Sequence, residues 1–190
     1  PRRADPAWLS ALEAQMGEHG AAIATARANL IAGLNAELER QPDEPFARPR
    51  LILTGWTGDA LAQRLASERK RDSAAGRTLL GPHRDDLDVL HVASGQAAAL
   101  CSTGEQKALL LSIILAHAAL IAGHRGQPPV LLLDEIAAHL DATRRATLFE
   151  RLAGTGSQIW MTGTELSLFS GLTNMSHFHL TSGAPIGSAT

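Results

Sequence analysis

The sequence has little of several things that would otherwise define it. Cys101 is its single cysteine, which excludes an internal disulfide and suits a reducing cytoplasm. There is no tyrosine, and aromatic residues make up only 4% of the chain. No secretory signal pattern is visible. The longest apolar run, Ala108 to Ala122, is interrupted by Ser112 and His117 and falls short of the roughly 20 residues a bilayer span requires. The expectation is a soluble, cytoplasmic chain with no membrane partner. Neither sign of charge dominates: 17 basic against 19 acidic residues leave a net charge of -2, so any nucleic-acid contact must come from a local patch. No Gly-x-x-x-x-Gly-Lys-Ser/Thr occurs anywhere, so tight ATP binding by these residues alone is not expected. There is no internal repeat and no low-complexity segment.

What is present suffices for a packed core: 190 residues, 45% of them hydrophobic. Asp5-Pro6 reads as a helix start. Trp8, Leu12, Met16, Ile23, Leu30, Leu34 and Leu38 then form a narrow apolar seam, which Gln41-Pro42 stops. Gly17 and Gly20 are candidate breaks in this helix. The seam suits either an ordinary amphipathic helix on a domain surface or an extended arm meeting one partner helix. The chain begins at Pro1, inside this pattern, which suggests a piece of a longer protein. Residues 42 to 49 read as a linker, Arg50 to Thr54 as a strand, and Gly58-Asp59 as the opening of a helix ending in Arg69-Lys70-Arg71-Asp72. Strands are expected at Leu87 to Val92, Gln96 to Cys101, Gln158 to Thr162 and, last, Ser176 to Thr181. A helix is expected over Thr143 to Ala153. The expected division is a helical arm or second lobe over 1–75 and a head over 76–190.

The chemistry centres on Val130-Leu131-Leu132-Leu133-Asp134-Glu135. Four apolar residues read as a fully buried strand, and two carboxylates stand where it leaves the sheet. Ligands of open α/β sheets lie beyond the carboxyl ends of the strands, so acids placed there are well sited for a metal. This is the form of a Walker B strand. Asp134 would hold Mg²⁺ through water, and Glu135 would polarise the water that attacks a γ-phosphate. By itself the pattern also fits a buried strand ending in a solvated acidic turn. Upstream, Ser102-Thr103-Gly104-Glu105-Gln106-Lys107 leads directly into an apolar helix. A hydroxyl, a glycine and free amides at a helix N-terminus make an anion site. The same residues also fit a capping box. The succession of signature-like loop, apolar helix, acid-ended strand and Ala138-His139-Leu140-Asp141 is much rarer than any one part.

That succession resembles the C-terminal half of an ABC-type ATPase head. Within the superfamily the chain resembles the RecF family, bacterial recombination mediators related to the SMC and DNA-repair ATPases. The residues that carry the resemblance are Gly81-Pro82-His83-Arg84-Asp85-Asp86-Leu87, Arg77-Thr78-Leu79-Leu80 before them, and the signature variant Ser102 to Lys107. The match runs from about Arg69 to Glu165. It implies an α/β head, with a mostly parallel sheet flanked by helices and an α-helical arm, that dimerises with ATP between subunits. Ser102, Thr103, Gly104, Glu105 and Gln106 of one protomer would then meet the nucleotide of the other, with Asp141 in the D-loop crossing the same interface. Where many ABC ATPases carry a switch histidine, Ile159 to Glu165 offers Thr162 or Thr164, compatible with slow hydrolysis. The resemblance implies DNA repair and replication at single-/double-strand junctions, recombinase loading at gaps, and recombination mediators as partners. The missing P-loop would lie upstream, so the complete protein, rather than this piece, is expected to be the ATPase.

The densest basic cluster is Arg64, Arg69, Lys70, Arg71 and Arg77, and 15 of the 17 basic residues in the chain are arginine, suited to forked phosphate contacts. The cluster reads as a solvated face or as a DNA phosphate contact. No aromatics interleave with it, so base stacking is not expected. Arg84 could reach nucleotide phosphate or DNA, or pair with Asp85 or Asp86. No basic residue follows Arg151. His177 and His179 share a strand face without further metal ligands nearby. Cys101 reads as a small strand residue, and His139 as a surface or interface residue. Two rival readings remain: a nucleotide-independent protein-interaction module using the arm helix, and the head of another SMC-like ATPase.

Overall fold

Asp5 begins the first helix as its sequence predicts. Its carboxylate accepts from the Ala7 amide at 2.9 Å, and Pro6 occupies the first turn, where no amide is needed. The helix α1 (Pro6–Arg40) runs unbroken for 35 residues, about 52 Å at roughly 1.5 Å per residue. Gln41, extended ahead of Pro42, ends it. A computed structural model describes residues 5–42, 46–56, 58–181 and 184–189, leaving out the side chains of 139 and 181–190. Part of the expected linker, 43–45, lies outside the described residues.

Gly17 and Gly20 do not break α1. They let a second helix, α2 (Leu61–Ala75), and the Trp56 ring come close. A Cβ on Gly20 would lie 2.7 Å from the Leu61 Cδ2 and 3.3 Å from the Trp56 ring, and one on Gly17 would lie 3.2 Å from the Ala62 Cβ. This approach decides which face of α1 turns inward, and it corrects the apolar seam. Of the seven seam residues only Leu34 and Leu38 are buried, while Trp8, Leu12, Met16, Ile23 and Leu30 are exposed. The inward face carries Glu13 and Gly20 instead.

Glu13 is buried because Arg69 of α2 grips it with two nitrogens, each 2.6 Å from a carboxylate oxygen, while also donating to the Ser10 hydroxyl. That forked hydrogen bond holds the Glu13 carboxyl below its ordinary value of 4.5, against an opposing push from burial, and raises Arg69. A carboxylate favoured in the folded state contributes stability that is complete above its unfolded pKa and is lost as pH falls through the folded value. The denaturant midpoint is therefore expected to drop on acidification below 4.5. Glu13→Gln should remove that part of the slope, and a variant that titrates like wild type would contradict the assignment.

Strands β1 (Pro49–Thr54) and β2 (Asp86–His91) pair antiparallel, with Leu51 opposite Val89. On the other edge of β1 the Asn35 amide donates to the Leu51 carbonyl and accepts from its amide, each at 2.9 Å, so one side chain satisfies the strand as a third strand would. Leu34, Leu38, Leu51 and Ala116 form one core, and Trp56, Leu61 and Leu65 another. The expected strand over Gln96 to Cys101 is not formed. A single bridge, Leu90 to Ala97, is followed by a short 3-10 turn at Ala98–Leu100.

Helix α3 (Thr103–Arg125) supplies Ala116 to the first core. At 23 residues it exceeds the apolar run expected from the sequence and is, by length and composition, long and apolar enough to cross a membrane. Its buried positions include Ala108, Leu109, Leu111, Ser112 and Leu115, as a core helix requires. The chain divides into two compact units, residues 1–120 and 121–190. The β1–β2 pairing ties the segments before and after residue 76 into one sheet.

In the second unit, β3 (Leu131–Leu133) and β4 (Ile159–Met161) lie parallel, with Leu131 opposite Ile159 and Leu133 opposite Met161. The fully buried strand expected at Val130 is buried only alternately. Leu131 and Leu133 are covered, whereas Leu132 is 77% exposed, because no described residue caps that side of the pair. Helix α4 (Ala142–Gly154) buries Leu148, Phe149 and Leu152, with Phe149 stacked on Phe169 at 6.4 Å. Strand β5 (His177–Thr181) is not the last. It pairs antiparallel with β6 (Ala184–Ala189), with a register shift between Phe178 and His179. Pro185 and Gly187 hide β6 from propensity, and both are admissible at an edge with a bulge.

Candidate nucleotide site and basic surface

The parallel register of β3 and β4 decides what stands at their carboxyl ends. With Leu133 opposite Met161, the next residues, Asp134 and Thr162, come side by side. The Thr162 amide donates to the Leu133 carbonyl at 3.1 Å. Its hydroxyl donates to the Asp134 carboxylate and accepts from the Glu135 amide at 3.0 Å. Three of the residues expected to handle nucleotide therefore form one hydrogen-bonded group, exposed at the strand ends. Thr164 forms no such bond among the described residues, so of the two switch candidates only Thr162 joins the acids.

Glu135 adopts a left-handed backbone, φ 48° and ψ 21°, one of two non-glycine residues found at positive φ among the described residues. Such a conformation costs on the order of 1 kcal/mol and gathers at functional sites. Here it turns the chain from β3 into the short 3-10 helix Ile136–His139 and leaves the Glu135 carboxylate without a hydrogen-bond partner among the described residues.

Asp141 caps α4: its carboxylate accepts from the Arg144 amide at 2.8 Å, with the Arg144 guanidinium 3.7 Å away. This local role is compatible with an interface position, since the residue remains exposed. The His139 side chain lies outside the described residues.

In the first unit, the loop before α3 is a complete capping box. The Ser102 hydroxyl accepts from the Glu105 amide at 3.4 Å, and the Glu105 carboxylate accepts from the Ser102 amide at 2.8 Å and its hydroxyl at 2.7 Å. Gln106 turns back to the Cys101 carbonyl at 3.0 Å. The amides of Thr103 and Gly104 have no acceptor among the described residues, and a Cβ on Gly104 would meet nothing within 4 Å. The cap therefore fixes the loop and still leaves an open, amide-lined helix end, with Ser102 and Thr103 exposed. Cys101 is buried against the Ala97 carbonyl at the end of the 3-10 turn, not within a strand.

The basic cluster divides. Arg69 is held by Glu13 of α1, whereas the exposed Arg71 pairs with Glu68 of its own helix at 2.8 Å. Arg64 and Lys70 are exposed on α2, and Arg77 and Arg84 line one open pocket. Arg84 pairs with neither Asp85 nor Asp86. Asp85, whose side chain is 1% exposed, takes Arg27 of α1 at 2.9 Å and the Trp56 amide at 2.8 Å. Asp86 accepts from the Leu87 amide. This Asp85 clasp is the feature that sequence reasoning missed. The His177 and His179 rings lie 6.3 Å apart, and no group of three His, Cys, Asp or Glu suited to a metal occurs among the described residues.

No protein-family model matches the chain. Among curated proteins, the DNA replication and repair protein RecF of Caulobacter vibrioides is 51% identical over 180 residues, which is 87% of this chain and 46% of that protein. RecF of Rhizobium etli is 46% identical over 188 residues, 93% of this chain and 50% of its own length. The chain thus spans about half the length of the curated relatives it matches. Among solved structures, the recombination mediator protein RecF with ATP, of the RecFOR pathway, superposes with a TM-score of 0.78 over 97% of this chain and 52% of that one. At 22% identity that likeness establishes the α/β fold alone.

Proposed function

This chain is homologous to the RecF DNA replication and repair proteins over the half of their length that it spans, and on that footing we propose that it forms the C-terminal part of an ATP-dependent DNA-repair ATPase. The observation that carries the reading is the Asp134–Glu135–Thr162 group at the carboxyl ends of two parallel strands. Glu135 is the base that orients the attacking water, and Thr162 stands at the γ-phosphate switch position. The open loop from Ser102 to Gln106 meets the nucleotide of a second protomer, with Asp141 at the same interface. Nucleotide closes the dimer on a DNA junction, and slow hydrolysis releases it. Recombination mediators and the recombinase loaded at gaps are the partners, in the cytoplasm.

The donors suit magnesium. Asp134 offers an exposed hard oxygen, and Thr162 engages only one oxygen of its carboxylate. Through water, Asp134 would hold Mg²⁺, which supplies charge neutralisation at the β- and γ-phosphates. Orientation belongs to the chain itself: Thr162 holds the Asp134 carboxylate by its hydroxyl and the Glu135 backbone by the same oxygen.

ATP binding tests the reading. The chain alone, which contains no phosphate-cradling glycine loop, should bind ATP weakly or not at all, whereas the complete protein carrying such a loop should bind it at micromolar concentration. Tight binding by the chain alone, or none by the complete protein, would overturn the division of labour. The rival reading, a nucleotide-independent docking module, has one observation in its favour: the exposed stripe of Trp8, Leu12, Met16, Ile23 and Leu30 on α1. It predicts no ATP binding in either form.

A further inference from the structure

Arg77 and Arg84 differ from Arg69 and Arg71, which pair with Glu13 and Glu68. Arg77 and Arg84 are both exposed, and neither makes an ion pair or a side-chain hydrogen bond with any described residue. They line, with Met16, Thr78 and His83, an open pocket of about 380 Å³ in which no carboxylate takes part. The acids closest in sequence have other partners: Asp85 takes Arg27 and the Trp56 amide, Asp86 the Leu87 amide at 2.8 Å, and Asp72 the Leu79 amide at 3.0 Å.

The walls of the pocket are anchored. Gly81, at φ 130°, opens the short 3-10 turn Pro82–Arg84, whose Arg84 amide donates to the Gly81 carbonyl at 2.9 Å. The His83 ring is bonded through Nε2 to the Thr78 carbonyl at 3.0 Å, which ties this turn to the segment that carries Arg77. Arg77 follows the left-handed Gly76 cap of α2 and donates its amide to the Asp72 carbonyl at 3.2 Å. Two unpaired guanidinium groups thus stand on two backbone segments fixed to each other, which lowers the ordering cost of gripping an anion.

We infer that this pocket binds a phosphate ester, with Arg77 and Arg84 as its donors. Forked guanidinium donors match the geometry of phosphate oxygens, and a shallow opening suits a ligand that passes through better than one that is enclosed. A DNA backbone is the source the shape favours. That source rests on the RecF-like reading above, whereas the phosphate chemistry does not.

The test uses the complete protein and a fluorescently labelled duplex with a single-stranded overhang, titrated between 50 and 200 mM salt (a range of the order over which counterion release is read). Arg77→Gln/Arg84→Gln should flatten the dependence of log affinity on log salt by roughly 1 to 2, since each neutralised phosphate contributes about 0.9. Arg77→Lys/Arg84→Lys should keep most of the slope, and Arg71→Gln should leave it unchanged. If the slope stays at its wild-type value while ATP affinity falls in the glutamine variant, the phosphate site stands and its source is the nucleotide. If neither quantity moves, the inference is overturned. Failure of the nucleotide reading would show independently, in the turnover of the Glu135 variant, in which Arg77 and Arg84 have no part.

Discussion

Glu135→Gln in the complete protein should lower ATP turnover by about 10²- to 10⁴-fold, the range associated with losing a positioned general base, while ATP-dependent dimerisation persists. The substitution keeps size and polarity and removes the charge that draws a proton from water. The backbone should not change, because the Glu135 amide, and not its side chain, is bonded to Thr162. Binding and chemistry are therefore separable at this residue. Turnover by colorimetric phosphate release and dimerisation by light scattering with ATP would read the two effects. Unchanged hydrolysis would remove Glu135 from the role.

The second large effect is expected far from the nucleotide. Asp85→Ala should destabilise the protein by about 2–4 kcal/mol, less than the full cost of breaking a buried ion pair because Arg27 is 41% exposed and can rehydrate. What cannot rehydrate is the Trp56 amide, which loses its acceptor inside the fold. Gly55 lies so close that a Cβ there would sit 2.6 Å from the Asp85 Oδ1, so the site cannot relax by moving the strand end inward. Asp85→Asn retains an acceptor for Trp56 and weakens only the charge attraction to Arg27, so it should cost less than the alanine. Urea denaturation gives both values. A cost below about 1 kcal/mol for the alanine variant would show that Asp85 does not clasp α1 to the β1–β2 pair.

Legibility from sequence followed the range of the interactions. Asp5-Pro6 and Gln41-Pro42 bound α1 through local rules, and both hold. Which face of α1 packs was not local: Gly17 and Gly20 admit α2 and Trp56 on a side that hydrophobic spacing did not mark. The same reason explains the arginines. Arg69 is neutralised by Glu13, 56 residues away, and Arg27 takes Asp85 across 58 residues, pairings that no nearby charge run announces. At the candidate site, Asp134 and Glu135 were legible as acids ending an apolar strand. That Thr162, and not Thr164, bonds to Asp134 follows only from the parallel register of β3 and β4. Strand β6 was invisible because Pro185 and Gly187 lack strand propensity, and its place is set by pairing with β5.

The central claim is that the loop at Ser102 and the acids at Asp134 and Glu135 complete one nucleotide site from two different protomers. Mixing two inactive variants of the complete protein, Ser102→Arg and Glu135→Gln, tests this directly. Randomly paired dimers that share sites in trans should recover roughly a quarter of wild-type turnover, because about half are mixed and each of those holds one intact site of two. Turnover that stays at the level of the separate variants would contradict the claim.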